Sequence, residues 1–263
     1  MSLALKLSIT PIAIAAITVL ARRGGSHLGG WLAAIPFTSA PVVLALALEH
    51  GESFAGMAAI GVLAGTASQA AFALAYPWTA LRLPWPASLL AASALFAACT
   101  WALNTLALTV GSALMIVVGA IVLALTLMPR RAQQVTDESP DQLSIRVDAV
   151  LRAAIATAMV LTITTVAPRI GAGLAGLVSP FPVFAALFLV FPHARHSTGA
   201  VLATAYTFLL GLFVCTAFFS VLASLLGTTP LAVAYLLAVT AALIAYAITR
   251  VAVRLRQARQ ARV

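Results

Sequence analysis

Charged residues are scarce in this 263-residue chain: they make up 8% of it, and Asp and Glu together number 6. Water-soluble domains devote about a quarter of their residues to charge. Because 63% of the residues are hydrophobic and the mean hydropathy is +1.09, a water-soluble fold is excluded. The apolar runs are about 20 residues long and do not alternate with polar residues, which indicates membrane-spanning helices and argues against barrel strands.

Cysteine and catalytic motifs are equally sparse. Cys99 and Cys215 are the two cysteines, each within an apolar run, and both are predicted to be small buried side chains. No HExxH, nucleophile-elbow or phosphate-binding-loop motif occurs. We therefore predict no enzyme, no catalytic residue, no cofactor and no metal site. Without an ATP-binding motif the chain cannot drive primary transport alone, although it fits a permease partner of a separate ATPase.

The net charge of +9 does not indicate nucleic-acid binding, because the basic residues flank apolar runs and form no folded basic surface. The chain is predicted to be all-α, a polytopic membrane protein with about nine transmembrane helices. The predicted spans are roughly 3–21, 28–48, 54–76, 86–103, 107–128, 149–168, 174–192, 198–226 and 230–250.

The distribution of Arg and Lys predicts the orientation. With the N-terminus outside, only Lys6 and Arg169 fall on the outer side. Thirteen arginines fall on the cytoplasmic side: Arg22, Arg23, Arg82, Arg130, Arg131, Arg146, Arg152, Arg195, Arg250, Arg254, Arg256, Arg259 and Arg262. Basic residues near span ends favour the cytoplasm, so we predict a multi-pass inner-membrane protein of bacterial type with a cytoplasmic C-terminus.

Composition divides the chain into four parts. Residues 1–128 form an N-terminal transmembrane half of five helices, and 149–250 a C-terminal half of four. Between them, 129–148 holds four of the six acidic residues and is predicted to be a cytoplasmic linker. The basic tail 251–263 is predicted to be attracted to anionic lipid headgroups, so membrane lipids are the expected partners. Association into a homo-oligomer is left open.

Two apolar segments, 28–50 and 174–196, are interrupted by proline, and freed carbonyls in a membrane need partners in protein or water. A shift of 146 residues superimposes identical residues, among them Leu28 and Leu174, Gly30 and Gly176, Pro36 and Pro182, and His50 and His196. The shift predicts two four-helix repeats linked by a fifth helix. Because five spans separate equivalent positions, the repeats are predicted to be inverted.

Helix breaks of this kind form substrate sites in transporters with inverted repeats. The predicted substrate-binding residues lie at the two breaks, together with a polar residue in mid-span: Pro36, Thr38, Ser39, Gln69, Ser179 and Pro182. Structural kinks at the prolines, and a packing hydrogen bond from Gln69, are the alternative interpretation.

Histidines near the span ends are the other candidates. His50, between Glu49 and Glu52, and His196 are predicted to act in gating. His193 and His196 have a spacing compatible with a metal, but Arg195 beside them argues against one.

The sequence thus predicts a secondary transporter or facilitator of a small molecule or ion. The alternative, from a different class, is a non-transporting membrane scaffold, or an accessory or permease subunit of a larger complex. A channel ranks third.

Overall fold

The structure, a computed structural model, describes residues 36, 39–129, 169, 171–195 and 197–260. These ranges contain eight helices and no strand. The helices are α1 (Ser39–His50), α2 (Glu52–Ala80), α3 (Trp85–Asn104), α4 (Val110–Leu127), α5 (Ala172–Val178), α6 (Val183–Ala194), α7 (Thr198–Leu225) and α8 (Leu231–Gln260).

Five of these helices are long and apolar enough to cross a membrane: α2, α3, α4, α7 and the Leu231–Val253 part of α8. The prediction of an all-helical chain with membrane-length helices is confirmed. Five such helices do not support the finer prediction of nine spans in two repeats, which stays a prediction. The predicted spans 3–21 and 149–168 lie outside the described residues.

The helices α2 and α7 form the centre of the described bundle. The apolar window of α2 is 78% buried and that of α7 is 56% buried, whereas the windows of α3, α4 and α8 are 17–28% buried. The helices α1, α3, α4 and α5 pack on α2, and α4, α6 and α8 pack on α7. In a membrane, the large exposed apolar side chains of α3, α4 and α8 would face lipid.

Two contacts show that α2 and α7 run antiparallel. At the first residue of α2, Glu52 Oε2 accepts a hydrogen bond from the backbone N–H of Gly227, 3.2 Å away and just beyond the end of α7. Near the middle of both helices, Thr66 Oγ1 lies 3.7 Å from Cys215 Sγ. The start of one helix therefore lies beside the end of the other.

Local signals explain where α3 and α4 begin. Pro84 precedes α3 and Pro86 occupies its first turn, where a missing N–H costs no helical hydrogen bond. At the start of α4, Thr109 and Ser112 form a reciprocal capping box. The two helices correspond to the predicted spans 86–103 and 107–128. Trp78 Nε1 donates to the Leu127 carbonyl at 3.0 Å and joins the ends of α2 and α4.

Glycine lets α2 and α5 approach to backbone contact. A Cβ added to Gly61 would collide with the Gly173 carbonyl, and one added to Gly176 would collide with the Ala58 carbonyl. At Gly65, an added Cβ would lie 2.6 Å from Pro180 Cγ. Gly61 and Gly65 of α2 therefore serve close helix packing, and they hold α5 and the residues after it against α2.

Candidate functional site

The chain is broken between α5 and α6, at Ser179–Pro182. The backbone N–H of Ser179 donates to the Ala175 carbonyl at 3.0 Å and closes α5. Neither Pro180 nor Pro182 has an N–H to continue the helix. The α6 helix begins when Ala186 N–H donates to the Pro182 carbonyl at 2.8 Å. The break is buried: Ser179, Pro180 and Pro182 are all shielded from solvent.

Gln69 of α2 is tied to this break. Its Nε2 donates to the Pro180 carbonyl at 2.6 Å, across 111 residues of sequence. The side chain is 8% exposed. Because a carbonyl can only accept, the bond assigns the amide nitrogen to Pro180 and directs Oε1 elsewhere. The contact fixes both the position and the orientation of the amide.

Two buried polar atoms of the described residues have no hydrogen-bond partner, and both belong to this place: Gln69 Oε1 and Ser179 Oγ. Buried polar atoms almost always have partners, and leaving one unpaired costs about 1–3 kcal/mol. Ser179 adjoins Pro180, whose carbonyl holds Gln69, so the two atoms lie at the same helix break. Unsatisfied buried groups in folded proteins are explained by stored strain, by a functional role, or by a bound water or ion.

Two apolar clusters lie on either side of the break. The Leu63 cluster includes Val43, Leu46, Leu63, Ala67, Leu103, Val117, Leu177, Cys215, Phe218 and Leu222. The Phe208 cluster includes Ala70, Phe72, Tyr76, Phe96, Ile121, Ala185, Leu189, Phe208 and Leu212. Along α2 the first cluster ends at Ala67 and the second begins at Ala70. The polar residues Ser68 and Gln69 fill the interval.

The same interval recurs on the neighbouring helices. On α3, Thr100 lies between Phe96 of one cluster and Leu103 of the other, and its Oγ1 donates to Ser68 Oγ at 3.0 Å. Between Leu177 and Ala185 lies Ser179. We call Ser68, Gln69, Thr100 and Ser179 the polar layer. It is a buried polar level between two apolar clusters.

In a membrane with Trp78 at its interface, Gln69 would lie near the middle of the hydrocarbon core. It lies nine residues before Trp78, a residue type enriched at membrane interfaces. At a rise of about 1.5 Å per residue, the separation is about 14 Å. This is close to half of the hydrocarbon thickness of about 30 Å.

The other predicted site residues are placed differently. Pro36 and Ser39 are buried at the start of α1, where the Pro36 carbonyl accepts from Ala40 N–H at 2.9 Å. Within the described residues, no hydrogen bond joins either of them to Gln69 or Ser179. Thr38 and His196 lie outside the described residues.

His50 is exposed at the end of α1, and its ring centroid lies 5.1 Å from that of Phe54. Its neighbour Glu52 accepts the hydrogen bond from Gly227 described above. The gating role of His50 stays a prediction.

A contact that the sequence did not indicate lies at the far side of the Phe208 cluster. Tyr76 Oη lies 3.3 Å from His193 Nδ1, and the two rings meet edge to face. From the break, Phe181 contacts Phe96 and Phe72, and Phe72 contacts Tyr76. A continuous series of rings therefore runs from the polar layer to His193. In the sequence, the signal for this contact is a tyrosine, Tyr76, at the end of a long apolar run. Its partner His193 could not be identified, because it lies 117 residues away.

Neither a metal-binding group nor a comparison with known proteins assigns a role to these residues. Within the described ranges, no three His, Cys, Asp or Glu side chains are grouped so as to hold a metal ion. Searches of protein-family models, of curated proteins and of solved structures find nothing that matches this chain.

Proposed function

We propose that this chain is a secondary transporter or facilitator of a small solute in a bacterial-type inner membrane, with its site at the polar layer. The observation that carries the proposal is the pair of unpartnered buried atoms, Gln69 Oε1 and Ser179 Oγ, at a helix break between two apolar clusters. Polar side chains buried at mid-membrane favour a functional role, because apolar packing there would be more stable.

Helix positions support the two-repeat part of the proposal. Shifted by 146 residues, the first residues of α1, α2 and α3 become positions 185, 198 and 231, close to the first residues of α6, α7 and α8. The first hydrogen bond of α1, from Ala40 N–H to the Pro36 carbonyl, has a counterpart from Ala186 N–H to the Pro182 carbonyl. The packing corresponds too, since α2 contacts α1 and α3 as α7 contacts α6 and α8.

The antiparallel pairing of α2 and α7 supports inversion of the repeats. The shift equates α2 with α7, and equivalent helices of inverted repeats cross the membrane in opposite directions. They meet at Thr66 and Cys215, near the middle of each helix. The same shift equates Gln69 with Cys215, so the two repeats contribute different side chains at the centre. The nine-span topology, with the N-terminus outside, is part of this proposal.

The two clusters suggest how access to the polar layer is controlled. In this conformation both are packed, and Gln69 Oε1 and Ser179 Oγ are shielded from solvent on all sides. Rocking of one repeat against the other would loosen one cluster at a time. With the proposed topology, the Leu63 cluster closes the outer side and the Phe208 cluster closes the cytoplasmic side.

Labelling of a cysteine at Ser179 tests the proposal without knowledge of the solute. In a Cys99→Ala, Cys215→Ala background, Ser179→Cys is treated with a membrane-impermeant thiol reagent in vesicles of each orientation. We expect reaction from both sides, because each conformation exposes the polar layer to one side. Ala113→Cys, equally buried but within the Leu63 cluster on α4, is the control and is expected not to react from the cytoplasmic side, because that cluster closes the outer side.

Each other outcome favours a different class of protein. Protection of Ser179→Cys from both sides contradicts the transporter and favours the membrane scaffold or accessory subunit, in which the prolines only shape the bundle. Reaction from both sides together with passage of the reagent across the membrane favours a channel.

The Tyr76 hydroxyl provides a test of closure on one side. Replacing Tyr76 with Phe removes the hydroxyl contact with His193. The closed arrangement of the Phe208 cluster thereby loses about 1 kcal/mol of stabilisation. We expect Ser179→Cys to react about fivefold faster from the cytoplasmic side. Tyr235→Phe is the matched control, because that hydroxyl donates to the Ala40 carbonyl at 3.0 Å beside the Leu63 cluster. An equal acceleration in both variants would contradict a cytoplasmic closure at Tyr76.

A further inference from the structure

We infer that the solute is small, has no net charge and presents at least one N–H or O–H group to Gln69; this inference rests on the transporter function proposed above. It follows from the charge, the hydrogen-bonding capacity and the space at the polar layer.

The first step concerns charge. The side chains of the polar layer are serine, threonine and glutamine, and none of them is ionisable as an acid or a base. Placing an ion in a low-dielectric interior without an opposite charge carries a large desolvation cost. An uncharged solute avoids this cost. The chemistry at Gln69 and Ser179 therefore favours a neutral ligand.

The second step concerns hydrogen bonds. The Nε2 of Gln69 carries two N–H groups, one of which donates to the Pro180 carbonyl, whereas Oε1, which accepts and cannot donate, has no partner. Pro180 also removes the N–H that would bond the Gly176 carbonyl four residues earlier. The unpartnered Oε1 requires a donor from the solute. Ser179 Oγ can either donate or accept.

The opposite end of the break supplies donors. The first N–H groups of a helix have no partner within that helix, and α6 begins at Val183, directly after the break. A solute that both donates and accepts can therefore satisfy both ends of the break. Amides, ureas and polyols have this character, and their neutrality matches the uncharged surroundings.

The third step concerns size. Gly65 and Pro180 are in contact too close to admit a Cβ, and both unpartnered atoms are shielded from solvent. The close packing at the break in this conformation therefore leaves no room for a large solute.

The experiment measures swelling of proteoliposomes by light scattering after mixing with a neutral probe. Urea, acetamide and glycerol carry donors, whereas N,N-dimethylacetamide accepts but cannot donate. We expect protein-dependent uptake of at least one donor-bearing probe and none of N,N-dimethylacetamide. Gln69→Met, which removes the acceptor at similar volume, should lower that uptake about tenfold. The control Ser88→Ala alters a buried serine outside the polar layer and should leave it unchanged.

Three results would overturn the inference. Equal protein-dependent uptake of acetamide and N,N-dimethylacetamide would remove the need for a donor. Potential-driven flux of K⁺, Na⁺ or Cl⁻ that is lost in Gln69→Met would replace the neutral solute with an ion and leave the transporter function standing. Absence of protein-dependent flux of every probe would contradict the inference, and labelling of Ser179→Cys then decides whether the transporter function fails with it. Ser179→Ala provides a second variant should Gln69→Met fail to fold.

Discussion

Gly176→Ala is expected to lower the melting temperature of the detergent-purified protein by about 6–12 °C, equivalent to about 3 kcal/mol. The added methyl group would collide with the Ala58 carbonyl. A backbone carbonyl in the middle of a helix cannot move aside as a flexible side chain can. The α2 and α5 helices must therefore separate, which loosens the Leu63 cluster and draws Pro180 away from Gln69.

Gly173→Ala is the matched control for this prediction. It changes the same residue type on the same short helix, yet its added Cβ meets nothing within 4 Å. Because Ala favours a helix over Gly by about 1 kcal/mol, this variant is expected to be as stable as the wild type or slightly more so. Similar melting temperatures for the two variants would show that the close approach of α2 and α5 does not limit stability.

The length and location of the long helices could be predicted from the sequence, because hydrophobic length is a local property. The predicted spans 54–76 and 198–226 correspond to Glu52–Ala80 and Thr198–Leu225. The proline pattern likewise predicted where the chain breaks before α6. Each of these features depends on residues within about 20 positions of one another, which is the length of a single span.

The composition of the site could be predicted only in part, because its contacts join distant parts of the chain. Gln69 stood out as a polar residue in mid-span, but nothing local to it indicates Pro180 as its partner. Histidine gating was predicted at His50 and His196 from their positions near span ends. Both gating roles stay predictions, and the contact between Tyr76 and His193 was not predicted because helix packing joins residues 117 positions apart.

Ser179→Ala is the variant that best separates a functional polar layer from a structural one. The Ser179 hydroxyl is fully buried and has no partner, so its removal breaks no hydrogen bond. Removing an unsatisfied buried polar atom should raise the free energy of unfolding by about 1 kcal/mol. Solute uptake, in contrast, should fall about tenfold or more, because the solute loses the hydroxyl that would bind it.

Ser68→Ala is the control, because it removes a hydroxyl from the same layer but leaves Thr100 without its partner. Its free energy of unfolding is expected to fall by about 1 kcal/mol, because the hydrogen bond from Thr100 to Ser68 is lost. Thermal melting shows whether each variant gains or loses stability. Liposome uptake shows, independently, whether each variant gains or loses transport of the solute. A functional site predicts that Ser179→Ala gains stability and loses uptake, since sites that bind ligands retain polarity at the expense of stability. Loss of stability in Ser179→Ala, with uptake unchanged, would mean that its hydroxyl has a structural partner and that the solute binds elsewhere.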